Sequence, residues 1–175
     1  TIGGTRYTRL YYATFDGTTW GTGTILPNQA GLSNHFYPYS ACVDSAGITH
    51  FLYTRSGAQS VYHLGMDNTG TFGTAQLLTT DYYWGGDRTN GASQLLDIPG
   101  SPEILAFTLN IGTLPIHFNP STLQMFHATA ALNPVWSQST IYTNADTVAP
   151  GIGAIYPDFF QSGYPGFVGL NRQYQ

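Results

Sequence analysis

Five arginines, Arg6, Arg9, Arg55, Arg88 and Arg172, are the only Lys or Arg cations in the sequence, which contains no lysine. A guanidinium is the side chain suited to two-point capture of a carboxylate, sulfate or phosphate. Arg88 lies in the most unusual stretch of the chain, TDYYWGGDRTNG at 80–91, where Tyr82, Tyr83 and Trp84 run into a glycine pair and Asp87. Flat aromatic rings offer apolar faces to sugars, while their hydroxyl and indole tips form hydrogen bonds. Arginines beside such rings describe a site for a polar or anionic glycan. The same loop could instead pack locally or bury itself against another protein, since aromatics and arginine are enriched at interfaces. The residues alone leave these three readings open.

Other chemistries have thinner support. His50 and His63 are expected on adjoining strands, but no carboxylate or thiol completes a zinc set, so no metal is expected. His63 and His127 recur at a position where Tyr12 also serves, which points to shape. Asp16 and Asp67 sit in turn sequences and are expected to accept backbone N–H bonds there. Cys42 is the single cysteine, in a strand-like context, and reads as a buried inert thiol. No cofactor is expected.

Composition narrows the class. Charged residues make up 8% of the 175-residue chain, against about 25% in typical soluble domains. A net charge of -4 without a basic run argues against binding a phosphate backbone, so nucleic acid is not an expected partner. No apolar run approaches the ~18 residues of a membrane-spanning helix. An apolar share of 42% suffices for one domain with a real core. No signal peptide is visible and the sequence opens at Thr1, so the chain reads as processed or as part of a longer one. Low charge with abundant Thr, Tyr and Gly suits an extracellular or virion surface.

The elements that must carry these residues are strands. Helical periodicity is absent, and runs such as GITHFLYTR, SVYHLGM and EILAFTLN alternate apolar with polar residues between Gly, Pro and Asn turns. One hairpin is written three times, at 10–27, 61–80 and 125–144, with an aromatic pair, a turn, and then Trp20, Phe72 or Trp136. A second hairpin recurs at 37–55, 94–110 and 156–172, two of its copies opening with Tyr-Pro. Alternation of the two gives four antiparallel strands per unit. The expected units are a half at 1–27, complete units at 37–80 and 94–144, and a half at 155–175.

The turns TFDGTTW and MDNTGTF resemble degenerate Asp-boxes, the S-x-D-x-G-x-x-W turn of sialidase-type (BNR-repeat) β-propellers. YP...VDSAGITHFLY is similar to the first hairpin of a blade in that family. The first box is a residue short, the second has Phe72 for Trp, and AALNPVW has no Asp. The resemblance implies an all-β, propeller-like array of four-stranded antiparallel blades, about three in this chain. Propellers typically have 4–8 blades, so a partner copy or further chain would complete the ring, and a homo-oligomer or part of a longer protein is expected. A β-sandwich or jelly roll built from the same hairpins is the alternative.

In a blade the long crossovers, 27–38, 79–93 and 143–157, share one face, where binding residues usually sit. Arg9, Arg55, Arg88 and Arg172 are expected there with Tyr82, Tyr83, Trp84 and Asp87, and His35 and Tyr37 in the crossover 27–38 join them. The leading expectation is a non-catalytic extracellular recognition module that binds a glycan, acidic or not, or a protein surface. A second is a structural subunit of a virion, fibre or cell surface. A third is a sialidase-like glycoside hydrolase, which needs an arginine cluster, a tyrosine activated by a glutamate, and an acid. Glu103 is the only glutamate and falls on the opposite face, while Asp87 or Asp146 lack an activating partner. The balance leans away from an enzyme.

Overall fold

The computed structural model describes residues 8–27, 29, 36–55, 60–80, 94–98, 101–111, 121–144, 151–159 and 165–172. Among these residues the protein is all strand, with no helix. Two antiparallel meanders of four strands dominate. The first contains β3 (Phe36–Val43), β4 (Thr49–Arg55), β5 (Ser60–Met66) and β6 (Gln76–Thr79) in that order. The second contains β7 (Gln94–Asp97), β8 (Glu103–Ile111), β9 (Ser121–Thr129) and β10 (Ser137–Asn144). Two-stranded sheets flank them in sequence, β1 (Tyr11–Tyr12) with β2 (Thr24–Ile25), and β11 (Gly151–Phe159) with β12 (Pro165–Arg172). β11 thus begins ahead of the expected 155. No ladder joins one of these sheets to another among the described residues.

Period-two burial stacks the sheets. Along β4 and β5, Leu52 and Val61 point to one side and enter a core with Leu95, Ile104, Ala106, Phe126 and Ala128 of the second meander. Tyr53 and Leu64 point to the other side and pack with Leu10, Leu26 and Phe36, joined by Tyr12, Phe51 and Phe72. The first meander is therefore covered on both faces, by the N-terminal hairpin and by the second meander. β8 continues the alternation, with Leu105 and Phe107 turned away from the shared core into a further cluster. Each fully buried side chain of this size contributes about 1.5–3 kcal/mol.

The turns explain where strands stop. Asp44-Ser-Ala-Gly47-Ile48 and Asp67-Asn-Thr-Gly70-Thr71 have the same bonding. In each, one carboxylate oxygen accepts the N–H groups two and four residues on, Ala46 and Ile48 in one case, Thr69 and Thr71 in the other. Each ends on a glycine at positive φ, 81° at Gly47 and 84° at Gly70, a region that side chains other than glycine's rarely enter. Asp16 caps a shorter version through Thr18 and Thr19. The capping expectation for Asp16 and Asp67 thus extends to Asp44, whose D-x-x-G spacing carried the same signal.

Strand register tests the repeats. Tyr11 pairs with Ile25 and Tyr12 with Thr24, as Tyr62 pairs with Leu77 and His63 with Gln76. Phe126 and His127 pair with Gln138 and Ser137 in the third copy. Two expected equivalences change. Phe72 lies well ahead of Gln76, whereas Trp136 directly precedes Ser137, so Trp136 is not the register counterpart of Trp20 and Phe72. Tyr37-Pro38 precedes the bulge of its hairpin, but Tyr156-Pro157 follows the bulge of the other. Trp20 is also 71% exposed, against only its neighbour Phe15, so it does not pack between strands as expected.

The segment before β10 reaches back onto the first meander. A Cβ at Gly65 would collide with the Leu132 carbonyl oxygen, and one at Gly73 would lie 2.6 Å from both that oxygen and Asn133 Oδ1. Gly65→Ala should therefore destabilise the protein by about 1–3 kcal/mol through overpacking. Gly23→Ala, with nothing within 4 Å of its added methyl, is the control and should shift the urea midpoint little. Equal midpoints for the two variants would show that this close approach is not formed.

Candidate functional site

Arg9 and Arg55, expected on one face, both lie near Phe36 at one end of the first meander. Arg55 ends β4 directly opposite Phe36, the first residue of β3. The N–H of Phe36 donates to the Thr8 carbonyl at 3.2 Å, which draws the segment before β1 alongside. That contact sets the Arg9 guanidinium over the Phe36 ring, 5.6 Å from its centroid, a cation–π geometry. Gln29 fixes the same segment from the interior by accepting the Leu10 N–H at 2.9 Å. Arg9, over the Phe36 ring, and Arg55, opposite Phe36 in the register, thus lie at the same end of the first meander, where β6 finishes.

Tyr53 lies beside them, its ring 6.2 Å from Phe36 and stacked at 5.7 Å on Tyr62. Burial, reinforced by Tyr62 and opposed by Arg55, pushes its phenol up to about 12. It therefore stays protonated near neutrality, the reverse of what a tyrosine nucleophile needs. A cleft of about 640 Å³ opens between β1 and β3–β4, with Arg9, Tyr11, Tyr12, Ser40, Phe51 and Tyr53 among its lining residues.

Arg172 ends β12 opposite Gly151. Arg172 and Arg55 each end the second strand of their hairpin, Arg172 two ladder pairs past the irregularity and Arg55 three. Tyr37 is in β3, opposite Thr54. His35, Tyr82, Tyr83, Trp84, Asp87 and Arg88 lie outside the described residues.

A second polar cluster is buried between the two meanders, and sequence reasoning missed it. Asp44 Oδ2 lies 3.1 Å from His50 Nε2, and His50 Nδ1 lies 2.8 Å from His63 Nε2. His63 Nδ1 lies 3.3 Å from Gln76 Oε1, which also accepts the Trp136 indole N–H at 3.2 Å. Gln76 Nε2 donates to the Pro134 carbonyl at 2.8 Å, and the Trp136 ring meets His63 edge-on at 5.0 Å. His63 is therefore a hydrogen-bonding link rather than a shape filler, and a carboxylate does adjoin the histidine pair. The groups form a line, and among the described residues no three of His, Cys, Asp or Glu converge to hold a metal.

Electrostatics follow from burial. Desolvation would raise Asp44, but hydrogen bonds from His50 and from the Ile48 and Ala46 N–H groups outweigh it and hold the carboxyl below its usual range. Burial raises Asp97 on β7, with Asp44 adding to the effect. Burial, helped by Asp97 and Asp44, pushes the Cys42 thiol up to about 12, consistent with an unreactive sulfur.

No protein-family model, curated protein or solved structure matches this chain.

The Trp136–Gln76 contact joins the two meanders, so it should matter to stability. Trp136→Phe keeps a ring against His63 and loses one hydrogen bond, with an expected cost of about 1 kcal/mol. Trp136→Ala should cost about 2–4 kcal/mol for a half-buried indole. Urea denaturation measures both, and an unchanged midpoint for the alanine variant would put the ring in solvent.

Proposed function

We propose that the protein is a non-catalytic, propeller-like recognition module that binds an acidic glycan at the end of the sheets where Arg9 and Arg55 flank Phe36. Arg9 over the Phe36 ring, with Arg55 opposite Phe36 in the strand register, is the observation that carries the reading. Two arginines near one aromatic ring suit a carboxylate or sulfate on a sugar: the charge binds the guanidinium groups and ring faces contact the pyranose.

The propeller arrangement is supported by the burial of the first meander on both faces, which a two-sheet sandwich does not produce. The terminal hairpins supply the two halves of another four-stranded unit. Joined with the register of β4 on β5, where Arg55 faces Ser60, β12 on β1 would bring Arg172 opposite Arg9. The donor of β12 is this chain or a second copy, in an extracellular or surface setting that suits the low charge content. The two-stranded sheets at both ends also favour a structural assembly reading, since open edges invite pairing with another chain.

Calorimetry with sialylated, sulfated and neutral oligosaccharides tests the proposal. Arg9→Ala and Arg55→Ala should each weaken binding of the acidic sugars at least tenfold, which corresponds to about 1.4 kcal/mol. The acidic ligand should also raise the melting temperature of the wild type. Unaltered affinity in both variants, or equal affinity for neutral sugars, would remove the arginine face from the function. A one-chain mass in light scattering would exclude completion by a second copy.

A further inference from the structure

The line Asp44–His50–His63–Gln76 can be read as a proton inventory. Its three contacts each place two heavy atoms within hydrogen-bond distance, so each needs one proton between them. Gln76 cannot supply the one at its own end. Its Nε2 donates to the Pro134 carbonyl and its Oε1 accepts from the Trp136 indole, which is a donor only. Turning the amide over would set two carbonyl oxygens together and two N–H groups together. His63 Nδ1 must then be the donor to Gln76 Oε1.

The remaining contacts follow from this. Asp44 Oδ1 is occupied by the N–H groups of Ala46 and Ile48, which favours the carboxylate, so His50 Nε2 donates to Oδ2. The His50–His63 contact takes a third proton. Two neutral imidazoles carry only two. We propose that Asp44, His50 and His63 form a buried proton-holding relay that keeps one shared proton on the imidazole pair at neutral pH.

Charge bookkeeping agrees with the count. His50 and His63 are fully buried and Asp44 is nearly so. With both rings neutral, the carboxylate would be a buried charge without a counterion, whereas the shared proton makes the trio neutral overall. The extra proton moves between His50 and His63 across 2.8 Å with all three contacts satisfied in either state. Two other titratable groups face the trio among the described residues. Asp97 comes from β7 of the second meander, and its charge when present pulls the proton inward; Cys42 on β3 stays neutral. From the segment before β10, the groups in contact are the uncharged Trp136 indole and Pro134 carbonyl.

Opposing this, burial pushes each ring down when taken singly, His50 against the pull of Asp44, and His63 to about 3 with His50 adding and Gln76 resisting. Two neutral rings, however, hold two protons for three contacts, so one contact is left with two lone pairs facing, which the shared proton removes. Loss of the proton would create that opposition. At the longest contact, His63–Gln76 at 3.3 Å, the opposition loosens Gln76 and with it the clasp on Trp136 and Pro134 that ties the meanders together. The device is a joint between sheets that holds at neutral and lower pH and slackens in alkali.

Nitrogen-15 imidazole spectra of the wild-type protein decide the matter. At pH 7 the His50–His63 pair should show one unprotonated ring nitrogen in total, with His63 Nδ1 protonated, and the pair should lose a proton well above the ordinary value of about 6.5. Asp44→Asn should move that loss at least one pH unit lower. Two unprotonated nitrogens at pH 7, one on each ring, would overturn the proposal.

Stability gives an independent sign. A folded pKa raised above 6.5 contributes stability that is complete below 6.5 and is lost as pH rises toward the folded value, by about tenfold in the folding equilibrium per pH unit. The difference between wild type and His63→Gln should shrink with that slope. If burial ruled each ring singly, the difference would shrink instead as pH falls from 6.5 toward 3. Should His63→Gln not fold, the wild-type spectra still decide.

Discussion

Everything positioned in this protein depends on β4 and β5 having no solvent face. Leu52 and Val61 are buried against one neighbour, Tyr53 and Leu64 against the other. A strand buried on both sides cannot slip by one residue, because the slip would exchange the two sets and mismatch both interfaces at once. Fixed register then places Arg55 opposite Phe36 at one end and Thr49 opposite Val43 at the other. Site and turns are consequences of the same pleat.

The polar line between the meanders shows what such a constraint permits. His50 and His63 share the side of Leu52 and Val61, so their rings enter an apolar layer where water cannot serve them. Their hydrogen bonds must be closed within the protein, and unmet polar atoms there cost more than the bonds gain. Closure uses a turn carboxylate at one end and an amide anchored by the next sheet at the other. The turn that ends β3 and the contact that joins two sheets are therefore parts of one network.

Much of this was legible in the sequence because it is local or periodic. Alternating residues disclosed the strands, and the spacing from Tyr11 to Tyr62 proved to be strand register, pair for pair. What failed was composition read without geometry. Trp136 looked like the counterpart of Trp20, but its indole is held by Gln76, sixty residues away in the chain. Asp44 was available as a partner for a strand-end arginine, but it pairs with His50, a link that depends on which oxygen its D-x-x-G turn leaves over. Arg9 was assigned to the right end of its strand, yet Phe36 could not be foreseen as its platform, since that contact rests on one hydrogen bond to Thr8. The loop that first drew notice, 80–91, lies outside the described residues, and long crossovers carry no period from which to read them.

Charge is sorted along the strands in a way the net value of -4 conceals. Asp16 follows β1, Asp44 follows β3, Asp67 follows β5, and Glu103 opens β8, all at hairpin turns of one kind of end. Arg9 precedes β1, while Arg55 and Arg172 end β4 and β12, at the opposite ends of their strands. Asp16, Asp44 and Asp67 have structural work at the turns, where their carboxylates accept backbone N–H groups. Arg9 donates to the Thr8 carbonyl at 3.1 Å and lies over the Phe36 ring, so its place is set by backbone and ring contacts. In a protein this poor in charge the local field depends on where the few charges sit rather than on their sum, and the described strands separate the turn carboxylates from the strand-end arginines.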